Sequence, residues 1–190
     1  MKAAAIAVSI ALALALQTSL ARFLTPGANL IDFVFVAVVF IALTGGPTAG
    51  LVAGAIAGLF QDALSATGSS VIAVGAGVVT ARSIIGIGGL AKTVVGFVAG
   101  IIGSQFIVAR PLPRALVFFT ATVGHAIMFQ GLYRVLDPGF VQTSWSTIFS
   151  QAGANALVGV LLFQVAEILP GVVDRRRSSS GGMRINRRLD

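Results

Sequence analysis

The chain has 190 residues; 56 % are hydrophobic, 23 are glycine and only 10 % are charged. A soluble globular domain carries about 25 % charged residues, and disorder needs low hydrophobicity with high charge, so the composition excludes both. Formal charge is +7, with one histidine and no cysteine, which excludes disulfides, thiolate chemistry and cysteine-based zinc sites.

A bilayer core of about 30 Å is crossed by about 20 helical residues, so this composition has room for roughly six spans. The expected fold is all-α, a polytopic transmembrane helical bundle at 1–173 followed by a basic tail at 174–190. The first candidate span is 3–21. Its charged start, apolar run and Ser19-Leu20-Ala21 also fit a removed signal peptide. Pro26-Gly27 turns the chain, and a second span occupies 29–44. Gly45-Gly46-Pro47 breaks it and opens a third at 47–64, since proline suits a first helical turn. Residues 66–86 have three readings: a re-entrant hairpin, an extension of the next helix, or an extra span. Further spans are expected at 87–109, 115–136 and 148–169, with Arg110-Pro-Leu-Pro-Arg114 as a loop between the first two.

The distribution of basic residues gives an orientation. Six crossings with both termini inside place nine basic residues inside and four outside, and seven crossings give the same division. The positive-inside rule therefore leaves the number open but puts Arg110, Arg114 and the C-terminus in the cytoplasm. Arg175, Arg176, Arg177, Arg184, Arg187 and Arg188 crowd the tail. After an apolar segment they read as orientation signals that also face anionic lipid, at about 1 kcal/mol per basic residue near the surface. No nucleic-acid partner is expected.

Gly46, Gly50, Gly54, Gly58 and Asp62 recur at every fourth position, as do Gly88, Lys92, Gly96, Gly100 and Ser104. Such rows lie along one ridge of a helix, and small residues there let helices approach closely in lipid. They suit internal packing, a seam to a partner chain, or a homodimer. Of the polar groups in the apolar stretches, Asp62, Lys92, His125 and Asn155 stand out, because intramembrane charge is costly without a partner. Asp62, at a helix C-terminus, opposes the macrodipole and calls for a cation; Lys92 or Arg82 is the expected one. His125 and Asn155 read as interhelical hydrogen-bonding groups. Glu167, near a helix end, is expected to reach water.

No constellation for chemistry is visible. Gly86 to Thr93 approaches a phosphate loop but has Ala91 where the motif needs glycine. Gly68-Ser69-Ser70 lacks the G-x-S-x-G pattern of a serine hydrolase, the only histidine is in another helix, and no cluster of three or four metal ligands is visible. Neither a catalytic residue, nor a metal site, nor a cofactor is expected.

Asp32 opening the second span, Gly45-Gly46-Pro47, and Gly54-x-x-x-Gly58-Leu-Phe-Gln-Asp62-Ala-Leu-Ser65 together resemble the MreD family of bacterial rod-shape-determining proteins. Gly86 to Phe97, Arg110 to Arg114 and Asn155 to Gly159 are similar to the versions in some branches of that family. The resemblance reaches to about residue 170 and is most specific at 45–65. It implies about six helices in a fold like that of the substrate-binding subunits of energy-coupling-factor transporters. It also implies a non-catalytic scaffold of cell-wall elongation in the bacterial inner membrane, whose main partner is MreC, working beside RodA, a penicillin-binding transpeptidase and MreB. The shared fold suggests an alternative, a small-molecule-binding membrane subunit of a transporter. The sequence departs from the family pattern at Ala66 to Ser83, which lengthens the connection between the third and fourth spans.

Overall fold

The computed structural model describes residues 2–24, 30–67, 71–74, 77–80, 86–105, 110–137 and 143–168. They form six helices: α1 (Lys2–Leu24), α2 (Phe33–Gly45), α3 (Pro47–Thr67), α4 (Ile87–Gln105), α5 (Pro111–Leu136) and α6 (Trp145–Ile168). Between α3 and α4 lie two short strands, β1 (Val71–Val74) and β2 (Gly77–Thr80). They pair antiparallel, with Val71 opposite Thr80 and Val74 opposite Gly77. The stretch 66–86 thus contains a β-hairpin, whereas the sequence suggests helical extension or a further crossing as readily.

Three helices, α4, α5 and α6, are long and apolar enough to cross a membrane. The stretch Ala4–Ser19 within α1 and the helix α2 are apolar but shorter. At about 1.5 Å per residue, the 13 residues of α2 extend only about 20 Å. This helix is the centre of the bundle. Val34, Val38, Val39 and Ala42 are fully enclosed, and it touches all five other helices. A helix apolar on every side is one surrounded by protein or lipid, and here protein surrounds it.

Two apolar cores flank α2. One joins Phe35, Val39 and Leu43 to Ala99, Phe118, Ala156 and Phe163. The other joins Val34, Val38 and Ile41 to Ile10, Ala13, Ala53 and Ala57, which ties α1 and α3 to the centre.

The two glycine rows face each other across α3 and α4, the most closely packed pair. A Cβ at Gly50 would overlap the Gly96 carbonyl, one at Gly54 the backbone of Lys92, and one at Gly58 the Cα of Gly89. Gly100 lies against Pro47 and Gly103 against Leu43 in the same way. The helices run antiparallel with their backbones in contact, which only small residues allow. Gly46 serves differently: its φ of 88° ends α2, and its N–H bonds back to the Ala42 carbonyl. That left-handed φ favours glycine.

The segment expected as a loop at 110–114 is mostly helix. Pro111 opens α5, preceded by Arg110 with extended backbone. Proline lacks only an N–H that a first turn leaves unbonded anyway, so Pro-Leu-Pro starts a helix here. Near the same end of the bundle Arg114 pairs with Glu167 of α6 and stacks 4.5 Å from the Phe163 ring centroid. Glu167 therefore reaches an arginine as well as water. Arg114 itself is buried.

Candidate functional site: a polar cleft between the helix ends

Neighbouring helices alternate in direction, so the N-termini of α2, α4 and α6 share an end with the C-termini of α1, α3 and α5. Most of the intramembrane polar residues gather there, around a half-open cleft of about 310 Å³.

Asp32 is the hinge of this arrangement. It is the N-cap of α2, with Oδ1 accepting the Phe35 N–H at 2.9 Å. That bond satisfies one of the donors every helix start leaves open. Its other oxygen, Oδ2, lies 3.3 Å from Lys92 Nζ of α4. Lys92 also reaches His125 Nε2 of α5 at 3.4 Å. An ammonium only donates, so Nε2 accepts and the ring proton sits on Nδ1. Asp32 and Lys92 are both buried, at 8 % and 4 % exposure. A buried charge needs a partner, and this pair supplies it for both.

Asn155 of α6 closes the ring of contacts. Its Oδ1 accepts the Asp32 N–H at 2.9 Å and its Nδ2 donates to Thr122 Oγ1 at 3.3 Å. It is fully enclosed. Gln17 of α1 holds the same turn from the other side, accepting the Phe33 N–H at 2.7 Å and donating to the Ile31 carbonyl at 3.4 Å. Five helices, α1, α2, α4, α5 and α6, are thus tied to one point by hydrogen bonds. The bundle floor is apolar and non-directional; this cluster fixes the rotation of each helix about its axis.

Asp62 has a separate task. Its Oδ2 accepts the N–H groups of Gly86 and Gly89 at 2.8 and 3.1 Å. The residue before α4 is Gly86, which has no side chain to cap with, and Asp62 provides that cap from the end of α3. The expected pairing with Lys92 is not formed, because Lys92 is taken by Asp32; Arg82 lies outside the described residues. The reason Asp62 needs no cation is that the positive end of the α4 macrodipole is beside it.

Of the residues singled out in the sequence, Asp62, Lys92, His125 and Asn155 all line the cleft. Gly50, Gly54, Gly58, Gly96 and Gly100 do not; they form the α3–α4 seam. The six tail arginines lie outside the described residues. Sequence reasoning missed Gln17, Gln61 and Thr122 as lining groups, and it noted Asp32 without giving it a role at the site. Asp immediately before an apolar run is an N-cap signal, which identifies the cap but not its cationic partner. Among the described residues no group of three metal-ligating side chains occurs.

Family models, curated proteins and solved structures give no match to this chain.

The cleft is lined by the Asp32–Lys92 ion pair, by amides and by aromatic rings.

Proposed function

We propose that this chain is an MreD-like membrane scaffold of cell-wall elongation, whose main partner is MreC. RodA, a penicillin-binding transpeptidase and MreB would work beside it. In this reading it spans the bacterial inner membrane several times, with Arg110, Arg114 and the C-terminus in the cytoplasm. One observation carries most weight. In the segment that most resembles the family, 45–65, Gly46 ends α2, Gly54 and Gly58 seat α3 on α4, and Asp62 caps α4. Close packing and capping of this kind are what a rigid platform needs.

The glycine rows are consumed within the chain, so a homodimer or a partner would meet other surfaces. Variants at Gly54 or Gly58 therefore test folding and not partner binding. The test is purification from the native membrane in mild detergent after brief crosslinking, with mass spectrometry of what is captured. A bitopic MreC chain in near-equal amount supports the scaffold. ATPase subunits of a transporter in its place would support the alternative, a small-molecule-binding subunit, and refute the scaffold.

A further inference from the structure

The polar cleft is larger than the structural cluster requires. The contacts among Asp32, Lys92, His125, Asn155 and Thr122 occupy one wall. The opposite walls, from α3, the C-terminal half of α5 and the start of α6, enclose empty space of about 310 Å³. That lies at the lower end of the roughly 300–1,000 Å³ of small-molecule sites.

Two polar groups on the lining are left incomplete among the described residues. Gln61 Oε1 is buried and has no hydrogen-bond partner. A native protein rarely leaves such an atom orphaned. It requires a donor. Lys92 carries three N–H donors, and Asp32 and His125 take two of them. Its ammonium is buried, so the third requires an acceptor. The two needs are complementary, and one molecule bearing both donors and acceptors meets them.

The charge of the lining selects among such molecules. Asp32 and Lys92 neutralise each other, and Asp62 is bound to the start of α4. Among the described lining residues each charged group is thus engaged, which favours an uncharged ligand. Gln130 and Gln151 add amides, which both donate and accept, while Phe129, Phe35, Ala126 and Ile148 offer apolar surface. A lining that combines amides with aromatic surface suits a ring with a hydroxylated edge and an apolar face.

We propose that the cleft binds a small uncharged polyol of sugar type, entering at the end of the bundle remote from Arg114 and Glu167. Gln61 Oε1 accepts from one hydroxyl, the third Lys92 N–H donates to another, and Phe129 covers the apolar face. This assignment rests on the cavity and its unfilled groups, and it is independent of the scaffold reading.

The experiment uses the full chain in lipid nanodiscs and saturation-transfer difference NMR, with glucose, ribose and myo-inositol as probes and glutamate as a charged control. Two variants accompany the wild type. Ala126→Trp fills the cavity from α5 without touching the ion pair. Gln61→Leu removes the orphaned acceptor and keeps the volume, and it should melt no lower than wild type because no existing bond is lost. The expected result is transfer to at least one polyol in the wild type, its loss in Ala126→Trp and a severalfold reduction in Gln61→Leu. Absence of transfer to all three polyols overturns the proposal. So does transfer of equal strength in Gln61→Leu, or stronger transfer to glutamate than to any polyol.

Discussion

Replacing Lys92 with methionine tests whether the Asp32–Lys92 pair holds the helix ends together. Methionine nearly matches the length of the lysine stem, so the apolar volume is kept while the ammonium and its position over the Phe35 ring are lost. What remains is a carboxylate at 8 % exposure with one bond, from the Phe35 N–H. Removing one member of a buried pair costs about 3–5 kcal/mol. The surviving cap bond places Lys92→Met near the lower end, at about 3 kcal/mol. The double variant Asp32→Asn/Lys92→Met should regain most of this. Asparagine caps a helix about as well as aspartate, and the pair then contains no charge, so a net loss within about 1 kcal/mol is expected. The coupling between the two positions is therefore about 2 kcal/mol or more, well above what independent sites show. Steric-trap unfolding in bicelles measures each variant. If Lys92→Met costs less than about 1 kcal/mol, or if the double variant is as unstable as the sum of the singles, the pair does not hold the bundle in the way described.

Other outcomes follow from the same contacts. Asp62→Lys should destabilise by about 1–2 kcal/mol through loss of the α4 cap and repulsion by the helix start, and Lys92→Asp should fail to rescue it in a melting assay; rescue would restore the Asp62–Lys92 pairing. Gly54→Leu/Gly58→Leu drives side chains into the α4 backbone, so size-exclusion chromatography should show loss of the folded species, and a monodisperse double variant would contradict the seam. Asn155→Leu leaves the Asp32 N–H and Thr122 without their partner, at about 1–2 kcal/mol, while leaving both glycine rows intact; a neutral effect on unfolding free energy would show that water replaces the amide. Phe118→Ala empties the floor beside Gly159 and Phe163 and should cost about 3–5 kcal/mol in the same unfolding measurement, a value near zero indicating that the site collapses.

The two glycine rows show how far the sequence reaches. Their spacing marks two flat helix faces, and the amino acids leave no other use for such faces than close approach. Which surface each face meets is not written in either row. α3 and α4 are consecutive helices that run antiparallel with their backbones in contact, and this excludes a partner from the same faces. The polar residues behave differently. Lys92 and Asp62 are 30 positions apart and each has several candidate partners along the chain. The choice fell to Asp32 for Lys92 because α2 and α4 run parallel and bring both helix starts to one level. Asp62, on the antiparallel α3, meets the start of α4 end-on and bonds to backbone.

Composition by itself determined that this chain is a bundle of apolar helices with few charges, since nothing else accommodates so much apolar surface with so little polar cover. The breaks at Gly45-Gly46-Pro47, near Leu136 and near residue 169 likewise mark helix ends by local chemistry alone. Tertiary structure decided the rest. It made α2 the buried axle of the bundle, because its neighbours enclose it. It converted scattered ionisable groups into one cluster beside an open cleft, because hydrogen bonds and ion pairs depend on distances that only packing sets.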